Sequence, residues 1–130
     1  KCDCTKIAGL WFHVDEETGT TTFVQIPKSC RGVKIGQSPS HPEEDSGLAG
    51  DRILCEGGKY RIQYRFPEGY VDDEGTRAVY PLPPEAAAQM RGDVRIEGDS
   101  VRFGFDPLDR LCEASNGKPC ESASFTRVPL

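Results

Sequence analysis

The sequence predicts an all-β fold, a compact antiparallel sandwich or barrel stapled by disulfides, with one short helical segment. Several stretches alternate apolar and polar residues with a period of two, which is typical of strands with one packed and one solvated face. Glycine (14) and proline (10) are frequent among the 130 residues, so we expect short strands joined by many turns. The six cysteines, an even number, indicate a disulfide framework.

Two segments carry the clearest strand patterns. In Lys59–Phe66, apolar residues alternate strictly with polar ones, and Pro67 ends the pattern because it cannot donate to a ladder. In Asp93–Phe105, two such runs flank Gly98-Asp99, which suits a two-residue hairpin turn. Further strands are predicted at Ile7–Val14, Thr20–Ile26, Gly32–Ile35, Arg52–Cys55, Thr76–Tyr80 and Phe125–Val128.

The remaining segments connect these strands within one predicted domain, residues 1–130. Asp15–Gly19 is acidic and ends in glycine, so the first two strands are expected to form a hairpin. Gly36–Gly50 reads as a long exposed loop, since it holds serines, prolines and an acidic run. The one helix signal is Pro83–Met90, which has proline at its start and Gly92 just beyond its end.

The candidate binding residues are four arginines on predicted strands. The hairpin register sets Arg95 opposite Arg102, a like-charge pair that destabilises a sheet mildly. Either both side chains splay into water or an anionic group approaches them. With Arg61 and Arg65, they would form a basic patch for carboxylate, sulfate or phosphate groups. The alternative is an ordinary solvated sheet face.

Aromatic residues offer a weaker candidate site. Four aromatic side chains could stack on a sugar or a flat phenolic ligand. Most of them, however, occupy the apolar positions of alternating strand patterns and are expected in the core. The four are Trp11, Tyr64, Tyr70 and Tyr80.

The sequence predicts no catalytic site and no metal or cofactor. Cys2-Asp3-Cys4 has the thiols of a soft metal site, but oxidised cysteines do not bind metal. His13 lies in an apolar strand and His41 in a predicted loop, and no Gly-x-Ser-x-Gly elbow is present. Acidic residues occur as adjacent triplets in loops, where solvation is the simplest interpretation.

Charge and hydropathy limit the partners. The formal net charge of -5 argues against a nucleic-acid partner, and no apolar run approaches the ~20 residues that span a membrane. The chain starts with Lys1 rather than methionine and has no apolar signal segment. We therefore expect a mature secreted protein, extracellular and without a membrane partner.

The C-terminal third resembles a known family. Cys112–Cys120 followed by the strand Ala123–Val128 resembles the end of the major Alternaria allergen family of secreted fungal proteins, where a small disulfide loop precedes the last strand. Cys55–Phe66 resembles that family's cysteine before an alternating aromatic strand. The resemblance covers about half of the chain. Two features of this sequence depart from the family. The segment from Cys30 to Cys55 is longer than the family's, and the Cys-Asp-Cys start has no match there.

The resemblance implies a compact β-barrel or sandwich with bridges Cys30–Cys55 and Cys112–Cys120. It also implies a secreted allergen or effector that acts on plant-host proteins or small ligands without turnover. Cys2 and Cys4 are too close in sequence to bond well to each other. Each is left to pair with Cys30 or Cys55, or with a second chain in a disulfide-linked dimer.

Three functional hypotheses follow. The first is a fungal effector-like protein that binds a host protein or small ligand. The second is a hydrolase inhibitor that presents the Cys112–Cys120 loop or the 36–50 loop to a target cleft. The third is a small secreted hydrolase or nuclease that uses His13 or His41.

Overall fold

The structure, a computed structural model, describes residues 2–37, 49–65, 70–71, 77–78 and 84–129. Over these residues the chain forms ten strands and two helices. The strands are β1 (Gly9–Val14), β2 (Thr21–Ile26), β3 (Lys34–Gly36), β4 (Ala49–Glu56), β5 (Lys59–Arg65), β6 (Tyr70–Val71), β7 (Arg77–Ala78), β8 (Arg91–Glu97), β9 (Ser100–Phe103) and β10 (Ser124–Arg127). The helices are α1 (Pro84–Gln89) and α2 (Asp106–Asn116).

Eight of these strands form one antiparallel sheet in the order β3-β2-β1-β10-β9-β8-β5-β4, and β6 pairs with β7 separately. The sheet curls until its two edge strands meet. There Arg31 bridges Arg52, and the Gly32 N–H donates to the Asp51 carbonyl oxygen at 2.9 Å. The result is a nearly closed barrel, which confirms the predicted all-β class.

The interior of the barrel is filled by inward-facing side chains, as the period-two patterns predict. Trp11 lies opposite Val24 on the neighbouring strand, and its Nε1–H donates to the Ile7 carbonyl oxygen at 2.9 Å. Ile53 and Ile62 face each other in the same way across β4 and β5. All five side chains are at least 97% buried, and each contributes roughly 1.5–3 kcal/mol through burial of apolar surface.

The predicted hairpins are confirmed. Strands β8 and β9 join at residues 98–99 with the expected register, Val94 opposite Phe103 and Ile96 opposite Val101. Strands β1 and β2 pair across residues 15–20. Of the predicted strand Thr76–Tyr80, only β7 is described, and most of the predicted 36–50 loop also lies outside the described residues.

The disulfides differ from the pairing that the resemblance implies. Cys30 bonds to Cys4 and Cys55 bonds to Cys2, with Cα–Cα distances of 5.4 and 5.2 Å, so Cys30–Cys55 is wrong. The N-terminal segment 2–8 supplies the partner of each of these two cysteines. Both N-terminal cysteines have partners in their own chain, so a disulfide-linked dimer requires exchange of one of these bonds. We call this region the disulfide end.

The other bridge that the resemblance implies, Cys112–Cys120, is present with a Cα–Cα distance of 5.2 Å. It does not close a plain loop, because Cys112 belongs to α2. Pro107 stands in the first turn of α2, and Gly117 ends the helix in the left-handed conformation (φ 77°). The expectation of one short helical segment is therefore wrong in number: α1 matches it, and α2 is a second helix.

Tyr64 makes the stability of the folded barrel depend on pH in the alkaline range. Its hydroxyl donates to the Gly104 carbonyl oxygen at 2.8 Å, and the Phe105 ring packs edge-on against it at 5.6 Å. Burial raises the pKa of the Tyr64 phenol well above its usual value, and Asp109 and Asp106 raise it further. The folded state therefore keeps the proton when the unfolded chain loses it.

We predict that stability falls as the pH rises above about 10, by up to about 1.4 kcal/mol per pH unit from this group. Below that pH both states are protonated, and the phenol contributes no slope. Urea unfolding at pH 8, 10 and 11 tests this, with Tyr64→Phe as the comparison. The variant should be less stable at pH 8 but should lose less stability between pH 10 and 11. Equal losses in the two proteins would contradict the assignment.

Candidate functional site

The structure confirms that Arg95 and Arg102 lie directly opposite each other, on β8 and β9. Their strand neighbours Val94 and Val101 point into the core, so the alternation of a strand puts both arginines on the outer face of the barrel. The sheet holds the two backbones in place. Two guanidinium groups are thereby fixed side by side on a rigid surface.

A cleft of about 430 Å³ forms where the chain that follows α2 passes beside these arginines. We call it the arginine cleft. Its other wall is the segment from Lys118, in the disulfide ring, to Ser122, just after it. The described residues that line it are Arg95, Glu97, Arg102, Lys118, Pro119, Cys120, Glu121 and Ser122.

Both guanidinium groups converge on Ser122. Nη2 of Arg95 donates to the Ser122 hydroxyl at 3.1 Å, and Nη1 of Arg102 donates to the Ser122 carbonyl oxygen. Arg102 also has an ionic partner, since its Nε lies 2.5 Å from Oε1 of Glu97. These contacts leave the two arginines unequal: Arg102 is paired with a carboxylate, whereas Arg95 donates to a neutral hydroxyl.

Arg95 also has an unsatisfied donor. Among the described residues, its Nε is a buried side-chain nitrogen without a hydrogen-bond partner. A buried donor left unpaired costs roughly 1–3 kcal/mol, more for a charged group, so the position favours an acceptor. A carboxylate, sulfate or phosphate oxygen pair accepts from a guanidinium in the bidentate mode. Of the two arginines, Arg95 is therefore the one that keeps an unpaired donor.

The other two predicted arginines lie in contacts of their own. Arg61 sits opposite Asp93 on β8 and donates to it at 2.7 Å, and it pairs with Asp106 at the start of α2. The hydrogen bond that Arg61 donates to the Asp106 carboxylate is the main cause of a raised Arg61 pKa. Arg65 donates from Nε to the Gly50 carbonyl oxygen at 3.1 Å. The structure thus brings Arg95 and Arg102 together, and Arg61 anchors α2 to the barrel.

The side chains of two of the four aromatic candidates are described by the structure, and both belong to the core. Trp11 and Tyr64 are buried in the core, as their alternation predicts. The Arg127 guanidinium covers the Trp11 ring, 4.4 Å from its centroid, which stabilises the barrel rather than leaving the ring open to a ligand. The Tyr70 side chain and Tyr80 lie outside the described part of the chain.

The two histidines, His13 and His41, are the candidate acid–base residues of the hydrolase or nuclease hypothesis. His13 packs on Phe125 with ring centroids 5.6 Å apart, and its Nδ1 lies 3.2 Å from the Ser124 carbonyl oxygen. These contacts are those of a strand residue that packs on the next strand. His41 lies outside the described residues.

Sequence reasoning missed Ser122 and Lys118. Their place beside the arginines depends on α2 and on the Cys112–Cys120 bond, which together turn the chain back along β9. The one available signal was the short spacing of those cysteines before the last strand.

The chain matches no family model, no curated protein and no solved structure in the comparisons made. The described part of the chain is an antiparallel β-barrel with three disulfides. The arginine cleft lies on the outer face of this barrel. Within the described ranges, no helix is both long and apolar enough to cross a membrane.

Proposed function

We propose that the protein is a secreted, non-enzymatic binding protein of the fungal effector or allergen-like kind. It engages a host protein or small ligand through an anionic group that is held in the arginine cleft. The observation that carries this proposal is the Arg95 side chain, whose Nε is buried without an acceptor in a cleft that also holds Arg102 and Lys118.

Secretion is supported by the three disulfides, which persist in oxidising compartments and are rare in reducing ones. Binding without turnover is supported by the chemistry of the cleft. Arginine and lysine attract and orient an anion and stay protonated near neutral pH. This leaves the carboxylates of Glu97 and Glu121 as the lining groups suited to proton transfer, and Glu97 is held in the ion pair with Arg102. Among the described residues that line the cleft, Ser122 alone carries a hydroxyl, and that hydroxyl already accepts from Arg95.

The proposal predicts that Arg95→Gln/Arg102→Gln weakens anion binding at least tenfold. The chain offers a matched control, Arg31→Gln/Arg52→Gln, which removes another cross-strand arginine pair from the exposed surface and changes the net charge equally. Retention on sulfated and carboxylated resins over a salt gradient measures the effect. The control should elute with the wild type and the cleft variant earlier. Equal losses in both variants would show general electrostatic attraction instead.

The effector function is tested with the same three proteins on plant tissue and extracts. Wild type and control should provoke a response or retain the same host protein, and the cleft variant should do neither. A wild-type protein without either effect would overturn the effector function. An effect that survives in the cleft variant would move the binding site elsewhere.

A second candidate is the hydrolase inhibitor. One observation favours it: every residue from Glu113 to Pro119, between the bonded cysteines, is exposed. A ring held by a disulfide loses less conformational entropy when it enters a target cleft. A panel of proteases and glycosidases, with Lys118→Ala for comparison, separates the candidates. No inhibition at micromolar protein would exclude this second function.

A further inference from the structure

A second cavity lies at the disulfide end, where β1 begins and where β2 and β10 end. Its volume of about 460 Å³ is in the range of small-molecule sites, and such sites often occupy the mouths of β-barrels. Most of its wall is aliphatic and comprises Ala8, Leu10, Ile26 and Val128. Among the described residues, it shares no lining side chain with the arginine cleft. We call it the end pocket.

Gly9 provides the space for this pocket. It opens β1 opposite Ile26, and it lies two residues before Trp11, on the face of β1 that points into the barrel. A Cβ atom at Gly9 would approach Nη1 of Arg127 to 2.8 Å. The φ of 133° is also one that residues with side chains rarely adopt. Because glycine stands here, the Arg127 guanidinium reaches across the end of β1 and lines the pocket.

The Arg127 guanidinium is held in place by neutral groups. Its Nη2 donates to the Lys6 carbonyl oxygen at 3.0 Å, and its Nη1 donates to the Ala8 carbonyl oxygen. The Trp11 ring supports it, with the ring centroid 4.4 Å from Cζ. A guanidinium has more N–H donors than these two bonds use. The group is therefore a fixed positive charge with donors left for a further acceptor.

Lys28, just after the end of β2, adds a second positive charge to the pocket. Within the described residues, neither Lys28 nor Arg127 forms an ion pair, and no carboxylate lines the pocket. Both cations are exposed, whereas Leu10 and Val128 are half-buried and Ile26 is buried. The pocket thus joins an aliphatic wall to two cations at its open side.

We propose that the end pocket binds an aliphatic carboxylate, a medium-chain fatty acid, with its chain along the aliphatic wall and its carboxylate at Arg127 and Lys28. The wall favours the chain, because each fully buried methylene group tightens binding about fourfold. The cations favour the carboxylate, which a guanidinium binds in the bidentate mode. This site goes beyond the proposed function and does not depend on the arginine cleft.

The test titrates the protein with hexanoate, octanoate and decanoate at constant ionic strength. Trp11 reports on binding, since it is the one tryptophan of the chain and contacts the Arg127 guanidinium. The fluorescence change should saturate at one equivalent, and the dissociation constant should fall about two- to fourfold with each added methylene group. Octanol and octylammonium carry the same chain without the negative charge, and both should bind about tenfold more weakly than octanoate.

The charge at the pocket is tested with Lys28→Gln, because the Lys28 side chain makes no hydrogen bond or ion pair within the described residues and the fold does not rely on it. Octanoate binding, measured by calorimetry, should weaken about threefold in this variant and about tenfold in Arg127→Gln. The matched control is Lys34→Gln, which removes an exposed lysine of β3 outside the pocket. It should bind octanoate as the wild type does.

Three results would overturn the proposal. The first is the absence of a saturable response up to millimolar decanoate. The second is equal affinity for octanoate and octylammonium, because the cations would then not select the head group. The third is an equal loss in Lys28→Gln and Lys34→Gln, which would show general electrostatic attraction.

The arginine-cleft variant separates this site from the proposed function. Arg95→Gln/Arg102→Gln should bind octanoate as the wild type does, even where it no longer binds sulfated or carboxylated resins. A loss of octanoate binding in that variant, with Lys28→Gln unchanged, would place the carboxylate in the arginine cleft and overturn the end pocket as its site.

Discussion

Replacing Gly92 by alanine should destabilise the barrel by about 3–5 kcal/mol, enough to unfold a marginal domain. Gly92 lies opposite Ile62 on the inner face, where the chain leaving β9 passes directly over it. A Cβ atom there would overlap the Gly104 carbonyl group and approach the Phe105 nitrogen to 2.9 Å. Neither is a flexible side chain, so the backbone itself has to move.

That movement would break two hydrogen bonds at once. The Gly104 N–H donates to the Asp93 carbonyl oxygen at 2.8 Å, and the Gly104 carbonyl oxygen accepts from the buried Tyr64 hydroxyl. Gly98→Ala is the control, since Gly98 has a positive φ of 62° but open space around its Cβ position. It should cost only about 1–2 kcal/mol. Denaturant unfolding measures both, and similar values would contradict the close approach at Gly92.

Removing the buried disulfide with Cys4→Ala/Cys30→Ala should cost about 4 kcal/mol. The bond joins residues 26 apart, and closing a loop of that length limits the unfolded chain by roughly 3–4 kcal/mol. The lost sulfurs add a cavity cost, because both side chains are at least 96% buried and touch the core. The variant also frees the N-terminal segment from the turn after β2.

The control is Cys112→Ala/Cys120→Ala, which removes a half-buried bridge between residues only 8 apart. It should cost about 2–3 kcal/mol and leave the barrel core intact. Thermal unfolding monitored by near-ultraviolet circular dichroism compares the two, because Trp11 reports on the core. A larger loss for the Cys112–Cys120 bridge than for the Cys4–Cys30 bridge would show that the buried bond contributes little to stability.

The strands were predictable because their signal is local. A period of two fixes which side chains point inward, and glycine at a turn fixes the pairing on either side of it. The register of β8 and β9, with Arg95 opposite Arg102, follows from these two facts and is the part of the site that the sequence could supply.

The parts that were missed depend on distant contacts. Helix α2 carries Leu108 and Leu111 exposed, so its apolar residues do not form a stripe that faces the core. Its position is fixed by the Arg61–Asp106 ion pair and by its proline and glycine ends. Disulfide pairing depends on where the N-terminal segment crosses the barrel, and spacing alone does not determine that crossing. Ser122 enters the cleft for the same reason.

The most direct test of the anion cleft is a nuclear magnetic resonance titration that follows each arginine Nε–H signal. Sodium sulfate is compared with sodium chloride at matched ionic strength, so that general screening cancels. The account predicts a saturable shift of the Arg95 Nε–H with sulfate, a smaller shift for Arg102, and none for Arg31. An Arg95 signal that does not move, or arginine signals that all move together, would contradict it.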